Sequence, residues 1–212
     1  MMNESNQVEK IYAAHPSAAD YAAEYFKYLS EVLGKIDRNE IARFADCLWA
    51  ARERGARIFF LGNGGSAATA SHFANDLTIG PRCFDKPFHA IALTDNQAIL
   101  TCIGNDFGFE DIFAIQLRTQ KLTAGDVVVA ISASGNSPNV IKACRLARER
   151  GATVVGLSGF DGGMLRELSE IRLHVPTAKG EYGPVEDVHM IFDHLIGTYL
   201  NMRVKAEMAG KS

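Results

Sequence analysis

Largely apolar runs of four to six residues recur five times along this chain, and the segments between them place apolar residues three or four positions apart. Such short runs are typical of strands buried on both faces of a parallel sheet, and the longer spacing is typical of helices packed on that sheet. The runs cover residues 58–61, 88–93, 127–132, 153–158 and 171–175. The pattern predicts an α/β fold with one five-stranded parallel sheet and helices on both faces, and we expect the flavodoxin-like strand order 2-1-3-4-5.

Two turns rich in glycine and serine follow the first and third strands. They are GNGGS at 62–66 and SASGNS at 132–137, and each leads into a predicted helix, the first of which we expect Ser66 to cap. In the expected strand order both turns lie at the carboxyl edge of the sheet, where the chain reverses and ligands bind. Unpaired amides at helix N-termini favour anions. We therefore predict one site for phosphate or a phosphosugar, with a pair of tight structural turns as the alternative.

Two amphipathic helices, at 17–36 and 37–55, are predicted before the first strand, whereas residues 1–16 are polar and expected to be frayed. Neither helix belongs to the series of alternating strands and helices. The first helix carries much aromatic surface, which either partner subunits or the chain's own sheet can cover. The whole chain, 1–212, is predicted to form one domain.

Composition narrows the class of protein. The chain has 212 residues, of which 47% are hydrophobic and 22% charged, and a net charge of −3, so it has no basic footprint for general nucleic-acid binding. Its four cysteines show no CxxC spacing, which favours buried free thiols in a reducing compartment. The N-terminus lacks the apolar core of a signal peptide, and no apolar run approaches about 18 residues. We expect a cytoplasmic protein with no membrane contact.

Candidate chemistry lies on two predicted helices. His72 and Asp76 are one turn apart on the helix after the first strand, where they form either part of a site or a surface hydrogen bond. The last predicted helix, at 185–205, carries Glu186 and His194 among apolar residues. These two positions are about 80° apart around a helix and about 12 Å apart along it, so they share one metal only if Glu186 leans inward from the helix start. A solvated face with one core histidine is the alternative.

Four separated segments together carry a resemblance to a known family. The segments are GNGGSAATASHFANDL, IGNDFGFEDIF, ISASGNSPNVIKA and VEDVHMIFDHL. They resemble the sugar isomerase (SIS) domain family, and within it the branch that acts on phosphoheptoses, in the same order and over nearly the whole chain. The resemblance implies isomerisation of the ketose sedoheptulose 7-phosphate to the aldose D-glycero-D-manno-heptose 7-phosphate through a cis-enediolate. It further implies homotetramers with active sites between subunits and one zinc ion per subunit.

The resemblance also implies roles for particular residues. Substrate-binding positions are Asn63, Gly64, Gly65, Ser66, Asp76, Asn105, Asp106, Ser132, Ala133, Ser134, Ser137 and Glu186. The zinc positions are His72, Asp76, Glu186 and His194. Asp76 and His194 are expected to be the catalytic base and acid, with a bound water as the alternative base. We further expect the helix of His72 and Asp76 to meet the last helix across a subunit boundary.

Four positions depart from the usual family pattern. The family usually has Glu at position 76, Gln at 186, Thr at 133 and Asp at 183, where this chain has Asp76, Glu186, Ala133 and Gly183. Oxygen ligands of either kind suit zinc, so the metal site is retained. The departures leave two alternatives open: an isomerase for a different phosphosugar, and a non-catalytic regulator or sugar-phosphate sensor built on the same domain.

Overall fold

The structure is a computed structural model that describes residues 6–210, and its helices and strands alternate through most of that range. The helices are α1 Gln7–Ala14, α2 Ala18–Gly34, α3 Arg38–Glu53, α4 Gly65–Thr78, α5 Gln97–Asp106, α6 Ala114–Thr119, α7 Pro138–Glu149, α8 Gly163–Leu168 and α9 Tyr182–Ala209. The strands are β1 Arg57–Gly62, β2 His89–Ala92, β3 Val127–Ser132, β4 Thr153–Gly159 and β5 Ile171–Val175. A short 3₁₀ turn, Phe109–Asp111, follows α5.

The five strands form one parallel sheet in the order β2-β1-β3-β4-β5, so both the predicted sheet and its flavodoxin-like order are confirmed. Strand β3 is buried along its whole length, as a continuous apolar run predicts for the centre of a parallel sheet. Gly62 at the end of β1 pairs in register with Ile131 near the end of β3. The turns that follow these two strands therefore leave the same edge of the sheet side by side.

Helices cover both faces of the sheet, as predicted. Phe60 packs with Phe73 of α4 and Phe192 of α9 in the hydrophobic core on one face. The neighbouring residue Phe59 points the other way and packs with Phe113 in the core on the second face. This alternation along β1 gives each face its own core, and it fixes α4 and α9 on the same side of the sheet.

Three helices precede β1 rather than two, and the expectation that 1–16 is frayed is wrong for Gln7–Ala14. Asn6 caps α1 by accepting hydrogen bonds from the amides of Val8 and Glu9. Ile11 is buried. A capped turn with one buried apolar anchor is enough to order a short helix against the domain. Residues 1–5 lie outside the described part of the chain.

Other local predictions have mixed outcomes. Ser66 does not cap α4, because the N-cap is Gly64, whose positive φ of 54° gives the turn a backbone that a side chain would strain. The Gly- and Asn/Asp-rich segment at 104–111 predicts a loop, but Asn105 and Asp106 lie in the last turn of α5. All four cysteines are unpaired, as predicted, but the expectation that they are buried holds only for Cys144. Within 6–210, no helix combines the length and apolar character needed to cross a bilayer.

Candidate active site

Helices α4 and α9 lie side by side and run in the same direction. At their N-terminal ends, a Cβ added to Gly65 would collide with the carboxylate of Glu186. Eleven residues further along both helices, a Cβ added to Gly197 would lie 3.7 Å from the Cβ of Asp76. The pairing occurs within one chain, so the expectation that these helices meet across a subunit boundary is wrong.

The two glycine and serine turns enclose a single polar cavity of about 170 Å³ at the carboxyl edge of the sheet. We call it the cradle. Its lining consists of Asn63, Ser66, Ile131, Ser132, Ala133, Ser134, Ser137, Tyr182 and Glu186. The convergence of the two turns, expected from the strand order alone, is thus present in the structure.

Hydrogen bonds between the turns hold the cradle in shape. The side-chain amides of Asn63 and the buried Asn139 donate to each other's oxygens, both at 2.9 Å. Ser132 Oγ lies 3.2 Å from Ser137 Oγ across the second turn. Within residues 6–210 the N-cap residues of α4 and α7 make no side-chain capping hydrogen bond, and in the first turn of α7 only the amide of Val140 is engaged by a side chain, donating to Asn139 Oδ1 at 2.9 Å. Two helix N-termini therefore offer donors and positive dipole ends to an anion in the cradle.

A second cluster of polar side chains lies further along the same helix pair. Ligand-type atoms of His72, Asp76, Asp193 and His194 all lie within 4.8 Å of one another. His72 Nε2 is 3.5 Å from Asp76 Oδ1, and the rings of His72 and His194 are edge to face with centroids 5.1 Å apart. Both histidines are exposed, so the cluster is open to solvent on one side. We call these four residues the His/Asp cluster.

Asp193 is the member of this cluster to which the sequence analysis assigned no role. It has no exposed surface, and neither carboxylate oxygen has a hydrogen-bond partner in the described part of the chain. Burial, and secondarily the charge of Asp76, raises the pKa of Asp193 to about 7, while His194 acts in the opposite direction. The sequence did carry a signal for Asp193: it is a carboxylate among the apolar residues that form the buried face of α9.

Three predicted site residues on helices, Glu186, Asn105 and Asp106, lie outside the His/Asp cluster. Glu186, expected to bind metal, is half-buried and lines the cradle instead. Asn105 and Asp106 are exposed at the end of α5, where Asn105 Nδ2 donates to Asp106 Oδ1 at 2.7 Å. Those two residues do not line the cradle. The sequence spacing placed Glu186 correctly on the last helix, but it could not place any of the three residues relative to the other elements.

The His/Asp cluster has the composition of a metal site. Two imidazoles and two carboxylates are donors that zinc accepts, and a divalent cation would neutralise the negative charge of the carboxylates. The buried oxygens of Asp193 without hydrogen-bond partners are the feature that a cation explains most directly, since buried charges are normally paired or metal-bound. The residues present therefore fit the metal that the family resemblance implies.

The sequence and the fold match those of a known class of proteins. A family model described as the SIS domain matches residues 20–159, more than half of the chain. The chain belongs to the SIS domain family.

Within that family the chain is similar to phosphoheptose isomerases. The chain is 41% identical to the phosphoheptose isomerase of Geobacter sulfurreducens over 169 residues, which covers 77% of this chain and 89% of that protein. It is 42% identical to the Mycobacterium bovis phosphoheptose isomerase over 163 residues, 76% of this chain and 81% of the relative. The solved phosphoheptose isomerase of Neisseria gonorrhoeae superposes with a TM-score of 0.78 at 32% identity, covering 88% of this chain and 100% of that one. The family resemblance seen in the four sequence segments is confirmed.

Proposed function

We propose that this protein isomerises sedoheptulose 7-phosphate to D-glycero-D-manno-heptose 7-phosphate. The observation that carries the proposal is the spacing of the cradle and the His/Asp cluster along one helix pair. From Gly65 to His72 is seven residues, which corresponds to about 10 Å along α4. An extended seven-carbon sugar can span that distance with its phosphate in the cradle and C1 and C2 at the His/Asp cluster. A shorter sugar phosphate would lose contact with either the cradle or the cluster.

The cradle supports the phosphate half of this proposal. Serine hydroxyls and the first-turn amides of α4 and α7 are donors suited to phosphate oxygens. These contacts lie far from the reacting carbons. They therefore bind substrate and transition state about equally and mainly set the affinity for the phosphate.

The His/Asp cluster supplies the groups for the proton transfers. The Asp76 carboxylate takes a proton from C1 and returns it at C2, so that a cis-enediolate forms between the two transfers. The His194 imidazole, through the ring nitrogen that does not bind the metal, gives a proton to the oxygen on C2 and takes one from the oxygen on C1, which completes the change from ketose to aldose. General acid and base groups positioned in this way contribute on the order of 10²- to 10⁴-fold each.

One zinc ion per subunit, held by His72, Asp76 and His194, is part of the proposal. When bound, zinc polarises the substrate carbonyl and stabilises negative charge on the adjacent oxygens. The exposed side of the cluster leaves room for those substrate oxygens.

The test is conversion of sedoheptulose 7-phosphate by the purified protein, with zinc and after treatment with a chelator. Fructose 6-phosphate serves as the substrate control, because its shorter chain does not span the two clusters. Asp76→Asn and His194→Gln should each lower kcat by at least about 100-fold. Absence of conversion by the zinc-supplemented protein, or a preference for the shorter sugar, would overturn the assignment.

We also propose that the active protein is a homotetramer of the cytosol whose sites include residues of neighbouring subunits. The unpaired cysteines suit a reducing compartment. Phe26 on α2 is 66% exposed and borders an apolar cavity of about 470 Å³. Tyr182 lines both this cavity and the cradle, so a subunit packed on α2 would also adjoin the cradle. Light scattering during size-exclusion chromatography measures the molar mass of the assembly. A monomer with full activity would refute the proposed tetramer.

A further inference from the structure

We propose that Asp193 is a metal ligand, and that it takes the place in the metal site that the sequence assigned to Glu186. The ligand set is then His72, Asp76, Asp193 and His194. The inference concerns the metal of the proposed function, but it is argued from the packing of α4 on α9 and tested by metal binding rather than by turnover.

The register between α4 and α9 separates Asp193 from Glu186. The two residues are seven positions apart, so they share one face of α9 and lie about 10 Å apart along its axis. Glu186 is level with Gly65 at the start of α4. Because the helices run parallel, Asp193 is level with His72, seven residues after Gly65. Asp193 therefore lies where the histidines and Asp76 are, and Glu186 lies two turns away beside the cradle.

The environment of Asp193 supports a ligand role over a structural one. A buried carboxylate with a structural role accepts hydrogen bonds or pairs with a cation. Neither oxygen of Asp193 accepts a hydrogen bond from any residue between 6 and 210. The groups with ligand atoms near it are the imidazoles of His72 and His194 and the carboxylate of Asp76. Asp193 thus has two oxygens without hydrogen-bond partners, close to two imidazoles and a second carboxylate. This arrangement is typical of a metal site.

Glu186 has a different environment, which explains its absence from the site. Its carboxylate lies against Gly65 in the first turn of α4, at the positive end of the helix dipole. That position is where the phosphate of the substrate is expected. Glu186 thus contributes negative charge to the cradle and not a ligand to the metal.

The experiment measures zinc affinity of the metal-stripped protein by competition with a chromophoric chelator. Asp193→Asn and Glu186→Gln are matched variants, since each replaces a carboxylate by its amide on the same face of α9. We expect Asp193→Asn to weaken zinc binding by at least about 10- to 100-fold, the loss typical for disturbing even an outer partner of a metal ligand. The zinc affinity of Glu186→Gln should stay within about threefold of that of the parent chain. Equal zinc affinity of Asp193→Asn and the parent, or a loss in Glu186→Gln as large as in Asp193→Asn, would overturn the inference.

Thermal unfolding with and without zinc separates lost binding from misfolding. In the metal-free state Asp193→Asn should unfold at or above the temperature of the parent chain, since it removes an unpaired buried charge. Zinc should raise the unfolding temperature of the parent and of Glu186→Gln, and raise that of Asp193→Asn much less. A parent chain that binds no zinc overturns the inference, even if it isomerises sedoheptulose 7-phosphate. Zinc binding that depends on Asp193, in a protein without isomerase activity, supports the inference and refutes the proposed function.

Discussion

His189 should make the stability of this protein fall as the pH drops below neutrality. This side chain of α9 packs against the sheet and is almost fully buried. Its Nε2 lies 3.4 Å from the carbonyl oxygen of Ser158, and its Nδ1 has no hydrogen-bond partner among residues 6–210. Burial lowers the pKa of His189 from 6.5 to about 4, because the imidazolium would lose its hydration. The hydrogen bond to Ser158 opposes this shift, and the charge of His174 adds to it.

The magnitude follows from the two pKa values. Between pH 6.5 and pH 4 the unfolded chain binds a proton at this position and the folded chain does not, so the free energy of unfolding decreases as the pH falls. One pKa unit is about 1.4 kcal/mol, which gives a loss of about 3 kcal/mol over the full range and about 2 kcal/mol between pH 7.5 and pH 5. Above pH 7 the folded and unfolded chains both hold His189 neutral, so this loss of stability is absent.

Urea denaturation of metal-free protein at pH 7.5 and at pH 5 measures this effect. His189→Gln is the comparison variant, since its amide can still donate to Ser158 and does not titrate. Other groups titrate equally in both proteins, so the difference between their pH responses isolates His189. The parent should lose about 2 kcal/mol more than the variant between the two pH values. Equal losses in both proteins would show that His189 is not held neutral by burial.

Three further predictions concern the site. Ser134→Ala or Ser137→Ala should raise KM for sedoheptulose 7-phosphate more than it lowers kcat, because these hydroxyls line the cradle away from the reacting carbons; unchanged steady-state kinetics would remove the second turn from the site. Glu186→Gln should lower KM by removing a negative charge from the cradle, and a higher KM would contradict that placement. Mixed Asp76→Ala and His194→Ala subunits should regain no activity, since both residues come from one chain; recovered turnover in the hybrids would place them in different subunits.

The sequence by itself determined the sheet, its strand order and its helix-covered faces. Apolar runs such as Val127–Ser132 cannot be solvated, so they become buried strands, and the segments between them are long enough for helical crossovers. The strand order then brings the turns after β1 and β3 together, which explains why the cradle was predictable without coordinates. The first helix was missed because α1 depends on the cap at Asn6 and the buried Ile11, a signal too short for periodicity.

The composition of the His/Asp cluster was decided only by the tertiary structure. Spacing within a helix reports which residues share a face, and it correctly paired His72 with Asp76 and set Glu186 apart from His194. It does not report how far one helix is shifted along another, because that register is set by side-chain packing between residues distant in sequence. The close approach at Gly65 and Gly197 fixes the register of α4 on α9, and it brings Asp193 rather than Glu186 to the histidines.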